Sequence, residues 1–345
     1  MAEDTAELVP LSRLQAYLSP FVAGMDGPVE VTKFASGQSN PTFRLDTPAG
    51  PYVLRRKPPG KLLKSAHAVE REFRVQRALA ETAVPVPRML HLCEDPDVIG
   101  AAFYVMEMVA GDNHDDPRLP DLQADARTRL LDEMNRVLAD LHAVDIDAVG
   151  LQDYGKPGNY YARQLSRWTQ QYKAAETEPL ADMDALIATL ETRLPEDDGQ
   201  RTLVHGDYRL DNLIFTGSRC AAVLDWELST LGHPYADLAA VLMQWRMPPG
   251  RDGRGLAGVD RAALGLPSDH AFIAAYCARR GLPGIDDFGF YLAFAFFRMG
   301  AILQGVKKRA LDGNASNPER GLALGAHVPN FARNGLWCLR DGWQA

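Results

Sequence analysis

Cysteine is scarce in this chain. Four residues, Cys93, Cys220, Cys277 and Cys338, are scattered through 345 positions with no C-x-x-C pair. That spacing offers neither a zinc-binding set nor a disulfide framework, and it predicts reduced thiols in a cytoplasmic protein. Net positive charge is lacking too. Lys and Arg number 37 against 45 Asp and Glu, a formal charge of −8. A nucleic-acid partner, which would demand a basic face, is therefore not expected. No apolar run is expected to reach membrane-spanning length, and the N-terminus lacks the basic-then-apolar pattern of an export signal, so no membrane partner is expected either. No internal repeat occurs. The length leaves room for two lobes of unequal size around a large buried core.

What the chain does contain is the run Leu203-Val204-His205-Gly206-Asp207-Tyr208-Arg209-Leu210-Asp211-Asn212-Leu213-Ile214-Phe215, followed by Ala222-Val223-Leu224-Asp225-Trp226-Glu227. Leu213-Ile214-Phe215 and Cys220-Ala221-Ala222-Val223-Leu224 are apolar runs of strand length. Thr216-Gly217-Ser218-Arg219 between them is a turn signal, so the spacing predicts a β-hairpin. Asn212 enters the first strand and Asp225 leaves the second, which brings two oxygen-bearing side chains together. Asp207 lies five residues before Asn212 on the loop leading in. This is the inventory of a phosphoryl-transfer site: one carboxylate to take a hydroxyl proton, and an amide with a second carboxylate to hold magnesium.

The pattern His-Gly-Asp-x-x-x-x-Asn followed by apolar-Asp-Trp-Glu resembles the aminoglycoside phosphotransferase and choline-kinase-like superfamily, small-molecule relatives of the protein kinases. The stretch Asp225-Trp226-Glu227-Leu228-Ser229-Thr230-Leu231-Gly232-His233-Pro234 is most similar to the branch associated with acyl-CoA dehydrogenases. The resemblance implies an α+β, two-lobed, protein-kinase-like fold. It implies an N-lobe antiparallel sheet with one helix over residues 1–110, and a larger, mostly helical C-lobe over 111–345 that carries the catalytic β-hairpin. It also implies ATP, with GTP as the alternative, and Mg²⁺ as cofactors.

Upstream signals sit at suitable distances. Phe34 to Leu45 reads as strand, small-residue turn, strand, and by resemblance Ser36, Gly37 and Ser39 belong to the loop covering the nucleotide phosphates. Neither Gly-x-Gly-x-x-Gly nor a Walker-type Gly-Lys-Ser/Thr occurs in it. In the following strand the position that carries Lys in many relatives is Arg55, which can also grip phosphate. Strand alternation places Arg55 and Lys57 on one face and Arg56 on the other. Residues 66–80 read as an amphipathic helix with Ala66, Val69, Phe73 and Ala80 on its apolar face and Gln76 interrupting it. By resemblance Glu72 pairs with Arg55, although an exposed Glu is the ordinary alternative. Phe103 to Gly111 reads as a strand and hinge, where backbone groups of Glu107 and Met108 are expected to meet the adenine edge.

In the C-lobe, residues 126–143, 159–175 and 180–194 have helical periodicity. Leu130, Leu131, Met134, Val137, Leu138 and Leu141 form the stripe of the first. His142 near its end reads as a packing residue. Asp237 stands near a helix start, and by resemblance it braces the catalytic loop without touching substrate. His205 is either a metal ligand or an orienting side chain; the second is preferred, because imidazole suits zinc better than magnesium. Asp287-Phe288-Gly289 mimics a protein-kinase magnesium motif. It lacks a preceding hairpin, so Asp287 is expected to be a helix charge or cap before a long apolar helix from about Tyr291 to Lys308. Arg298, mid-helix, reads either as the partner of a buried carboxylate or as an anchor for an anionic acceptor. The Gly-rich loop 248–255 is either substrate-facing or inert.

These roles imply an ATP- and Mg-dependent kinase acting on a small-molecule hydroxyl. Asp207, His205 and Asp237 serve the catalytic loop, Asn212 and Asp225 serve the metal. The acceptor is open. The acidic stretch Asp112 to Asp116 fits an aminoglycoside-like polycation, whereas the branch resemblance and the basic run from Arg55 to Lys64 fit a hydroxyacyl-CoA-type metabolite and a link to acyl-CoA metabolism. Two other classes are carried: a catalytically silent nucleotide-binding pseudokinase, and a metal-dependent phosphoesterase using His205, Asp207 and Asp225 as ligands.

Overall fold

A computed structural model describes residues 5–34, 40–59, 67–250, 253–315 and 317–343. The phosphate-loop candidates Ser36, Gly37 and Ser39 lie outside the described residues, as do Ala66 and residues 60–64 of the basic run. Packing divides the α+β chain into two compact units. The first is Met1–Asn113, Ile146–Leu151 and Asp211–Ser229; the second is His114–Asp145, Gln152–Leu210 and Thr230–Ala345.

The first unit is built on an antiparallel sheet of β1 (Glu30–Lys33), β2 (Thr42–Thr47), β3 (Gly50–Arg56), β4 (Met89–Cys93) and β5 (Phe103–Glu107), in the order β1-β2-β3-β5-β4. Alternation along the strands gives the sheet two apolar faces. Phe43, Leu45, Leu54, Phe103 and Val105 bury one face with Leu14 and Leu18 of the helix Leu11–Leu18. Val53, Tyr104 and Met106 bury the other with Val69 and Phe73 of the helix Val69–Leu79. That second helix starts later than its periodicity predicts, after His67 at a left-handed φ of 59°. Its inward face also differs. Ala80 caps the helix and is exposed, while Glu72 and Gln76 are buried, Gln76 Nε2 donating to the Glu72 carbonyl.

The predicted hairpin is present as β8 (Leu213–Thr216) and β9 (Arg219–Val223). The sequence reading places it in the C-lobe, yet it packs with the first unit. The cause is hydrogen bonding: β6 (Asp112–Asn113) adds to β8, and the Val223 N–H donates to the Pro85 carbonyl at 2.9 Å.

The second unit is mostly helical, with a two-stranded ladder of β7 (Thr202–Val204) and β10 (Thr230–Gly232). The helices Ala124–Ala143, Tyr160–Ala175 and Ala181–Thr192 fall where periodicity predicts them, and the whole predicted stripe of the first is buried. The helix Phe288–Leu311 forms the centre, packed by the helices Tyr160–Ala175, Tyr235–Trp245, Pro318–Gly325 and Val328–Trp337. At 24 residues it is long and apolar enough to cross a membrane, contrary to the expectation that no such run exists; 61% of its most apolar window is buried inside the protein. Arg298 interrupts the apolar run in sequence without ending the helix.

Candidate active site

Within the first unit, the register of β3 puts Arg55 and Lys57 on the helix side and Arg56 on the other, as alternation predicts. Lys57 Nζ lies 2.9 Å from Glu70 Oε2, while buried Arg56 donates to the Leu8 carbonyl. Arg55 sits among three carboxylates. Its Nε is 3.0 Å from Glu72 Oε2, and its Nη2 is 2.6 Å from Asp225 Oδ1 and 3.7 Å from Glu227 Oε2. Burial works against the Arg55 charge, but Glu72, Asp225 and Glu227 outweigh it and raise its pKa above the ordinary value. Glu72, only 1% exposed, is held further by the Asn40 amide (2.8 Å) and the Tyr104 hydroxyl (3.2 Å). Burial raises its pKa against the pull of Arg55.

The hairpin supplies the oxygen pair. The Leu224 N–H donates to the Asn212 carbonyl at 2.8 Å, closing the open end of β8 and β9 and setting Asn212 beside the residue before Asp225. Asp225 adopts φ 65° and ψ 60°, a left-handed conformation unusual for a non-glycine residue and one that concentrates at functional sites. Asn212 and Asp225 are hard oxygen donors, suited to magnesium and poorly suited to soft metals. Three carboxylates around one guanidinium leave excess negative charge, so the residues fit a bound cation. Among the described residues no group of three or more His, Cys, Asp and Glu could hold a metal ion, and His205 faces Asp207 by a different contact.

That contact belongs to the second unit. The Asp207 N–H donates to His205 Nδ1 at 3.2 Å, which leaves the imidazole proton on Nε2. His205 is fully buried, and its own N–H donates to Asp237 Oδ2 at 2.7 Å, while the Gly206 N–H donates to Asp237 Oδ1 at 2.8 Å. Asp237, 1% exposed, therefore spends its carboxylate on these backbone N–H groups. Burial opposes its ionisation, but His142, His205 and the Gly206 N–H hold its pKa below the usual carboxylate range. His142 lies 3.4 Å from Asp237 Oδ2, with its Nδ1 2.8 Å from the Tyr276 hydroxyl. Gly206 has φ 84°, a conformation that glycine adopts without steric cost.

Other sequence-selected residues have definite places. The Glu107 N–H donates to the Arg88 carbonyl, so of Glu107 only the carbonyl remains for an adenine; Met108 packs against the helix-side core. Asp287 stands before the helix at φ 45° but does not cap it with its side chain, because its carboxylate takes both 2.9 Å contacts from Arg193 Nη2. Arg298 pairs with no carboxylate among the described residues; its Nη2 donates to the Gly206 carbonyl at 3.1 Å. Asp116 is gripped by Arg118, which withdraws it from a polycation site. Arg56 and Lys57 are likewise committed, so these two cations of the basic run are not available to CoA. The described end of the Gly-rich loop turns back on its own start, Gly255 N–H donating to the Pro248 carbonyl, and the Leu256 N–H just after the loop donates to the Trp245 carbonyl at the end of the preceding helix. Sequence reasoning gave no role to Asn40 or Glu227. The quoted motifs contain both, but their contacts with the Arg55 cluster are a tertiary fact.

The family model described as the phosphotransferase enzyme family matches residues 30–286. The chain belongs to this family. Among solved structures, the chain is similar to a Ralstonia eutropha JMP134 protein provisionally named an aminoglycoside phosphotransferase, with 49% identity and a TM-score of 0.88 over 96% of this chain and 98% of that one. It shares its fold, at 16% identity and a TM-score of 0.62 over 94% of this chain and 97% of that one, with aminoglycoside phosphotransferase APH(4)-Ia, solved with ADP and hygromycin B. Among curated proteins it is 46% identical over 313 residues to mouse acyl-CoA dehydrogenase family member 10, covering 90% of this chain and 29% of that protein. It is 39% identical over 349 residues to human acyl-CoA dehydrogenase family member 11, covering 96% and 44%. The chain thus spans less than half the length of these relatives.

Proposed function

We propose that this phosphotransferase is a small-molecule kinase that moves the γ-phosphoryl group of ATP, with GTP as the alternative, to a hydroxyl. The observation that carries the reading is the Arg55 cluster: a guanidinium fixed by Glu72 and joined to Asp225 at the end of the hairpin. In this reading Arg55 neutralises phosphate charge. Asn212 and Asp225 hold Mg²⁺, which supplies charge neutralisation on the same phosphates when bound. Asp207 accepts the hydrogen bond of the acceptor hydroxyl and takes its proton as transfer proceeds, with Asp237 and His205 holding the loop. Positioning and charge stabilisation supply most of the rate in such reactions. Solved relatives in complex with ADP and with AMP-PNP support a nucleotide ligand.

The surroundings of Asp207 favour an anionic acceptor over a polycationic one. Arg209 Nε lies 3.2 Å from Asp207 Oδ1. Burial raises the pKa of the Tyr160 hydroxyl; Arg298, Arg163 and Arg167 oppose the rise and Asp237 adds to it. None of those three arginines has a carboxylate partner among the described residues. A hydroxyacyl-CoA-type metabolite fits this field better than an aminoglycoside, and the names of the curated relatives agree with a link to acyl-CoA metabolism.

Thermal unfolding with ATP or AMP-PNP, with and without Mg²⁺, tests the nucleotide site. Ligand at about 100 times its dissociation constant stabilises by roughly 2.7 kcal/mol. The expected result is a Mg²⁺-dependent rise in Tm for the wild type that Asp225→Asn loses. No shift with any nucleotide sinks the kinase reading. ADP release is then compared between hydroxyacyl-CoA thioesters and a panel of aminoglycosides; turnover confined to the aminoglycosides overturns the acceptor assignment.

A further inference from the structure

We infer that Arg298 is a positioning residue for phosphoryl transfer, holding the peptide group between Gly206 and Asp207 in the one orientation that presents the Asp207 carboxylate. The inference rests on the kinase reading for the role of Asp207, but the clamp itself is a matter of geometry.

Three successive peptide groups lead into Asp207. The N–H groups of His205 and Gly206 are both taken by Asp237. That leaves the third peptide, the Gly206 carbonyl with the Asp207 N–H, beyond the reach of the brace. It is pinned from two sides: its N–H donates to His205 Nδ1, and its carbonyl accepts from Arg298 Nη2 at 3.1 Å. This peptide has the greatest freedom of the three, because it follows a glycine at φ 84°. Rotation about it turns the Asp207 side chain away while leaving the Asp237 brace intact. The hydrogen bond that the Asp207 N–H donates to His205 Nδ1 is neutral and 3.2 Å long; the one that Arg298 donates to the Gly206 carbonyl is charge-assisted and of the stronger kind.

The surroundings of Arg298 fit this task better than the other roles for a mid-helix arginine. It lies on a helix whose neighbouring side chains Phe296 and Phe297 are fully buried, so its stem is anchored. Its Cζ stands 5.8 Å from the centre of the Trp168 ring, which supports the guanidinium without neutralising it. No carboxylate pairs with it among the described residues, so it is not half of a buried ion pair. The guanidinium spends its hydrogen bond on a main-chain oxygen, which a residue serving only as an acceptor anchor has no reason to do.

Amide hydrogen exchange over residues 203–209, measured in the full chain for wild type, Arg298→Lys and Arg298→Ala, reads the clamp without relying on turnover. Arg298→Ala is expected to speed exchange in this segment by at least about tenfold, the scale of one charge-assisted hydrogen bond, with protection in the helix Tyr235–Trp245 unchanged. Arg298→Lys, which keeps one donor and safeguards against misfolding of the alanine variant, should fall between the two. With a phosphorylated acceptor in hand, kcat should drop roughly 10–100-fold at unchanged KM for ATP and acceptor, and methylguanidine should restore part of it. Unchanged exchange with a rise only in acceptor KM overturns the inference and makes Arg298 an acceptor anchor. Faster exchange in Arg298→Ala, alongside a wild type that turns over no nucleotide, would instead indict the kinase reading.

Discussion

At the residue scale, the Arg55 cluster shows how one side chain can be chemically interchangeable and structurally singular. An arginine in this place can meet Glu72 through Nε and Asp225 through Nη2 at once, a division of donors that a single ammonium cannot reproduce at the same distances. Removing it leaves Glu72 buried with only the neutral donors of Asn40 and Tyr104. Arg55→Ala should therefore cost about 3–5 kcal/mol in urea unfolding, the usual penalty for breaking a buried pair from one side. Arg55→Met with Glu72→Gln should recover much of that stability but none of the nucleotide-induced shift in Tm. A double variant that still responds to ATP and Mg²⁺ would place the phosphate-binding cation elsewhere. The pairing of Arg55 with Glu72 could be anticipated from the family resemblance, with strand alternation fixing only the face of Arg55. The contributions of Asn40, Tyr104 and Glu227 could not, since they approach from three separate segments.

At the scale of elements, the loop before the hairpin is held by the helix that follows it. Asp237, on the first turn of Tyr235–Trp245, gathers the His205 and Gly206 amides, and His142 at the end of Ala124–Ala143 closes the network against it. Burial lowers the pKa of His142 below its ordinary 6.5, against the opposing pull of Asp237 and with a further push from Arg280. The sign is then fixed. The unfolded chain takes up a proton as pH falls through about 6.5 while the folded protein does not, so stability is full above that value and is lost below it. Equilibrium urea unfolding between pH 7.5 and 5.5 should show the midpoint falling with acidity, and His142→Gln should flatten that slope. His233, shifted in the same direction by its own burial, retains the remainder. An identical slope in the variant removes His142 from the account. Sequence periodicity marked His142 for packing and Asp237 as a brace by resemblance, but not that the two touch each other across 95 positions.

For the whole molecule, the decisive element of the second unit is the helix Phe288–Leu311. Its composition alone permits a membrane span, and it is the burial of Phe296, Phe297, Leu292 and Phe288 among surrounding helices that makes it a core element here. Phe297→Ala should cost about 3–5 kcal/mol, transfer and cavity terms together, measurable as a drop in urea midpoint. A cost under about 1 kcal/mol would mean that this helix is not the centre of the unit's core.

The sequence by itself determined the local elements and the chemical inventory. Periods of two and 3.6 place the strands and helices within a few residues, because side-chain burial on one face is a local pattern. The order His205, Gly206, Asp207, Asn212, Asp225 is written at short, fixed separations in the sequence, and the hairpin by itself brings the Asn212 and Asp225 ends together. Only the tertiary structure decided which polar groups inside those elements are spent on holding others. The hairpin joins the first unit because β6 and Pro85 bond to it, and Arg56 and Lys57 are consumed by partners on other elements. Arg298 reaches the Gly206 carbonyl over 92 residues. Such contacts depend on distance in space between buried donors and acceptors, and no periodicity along the chain encodes that distance.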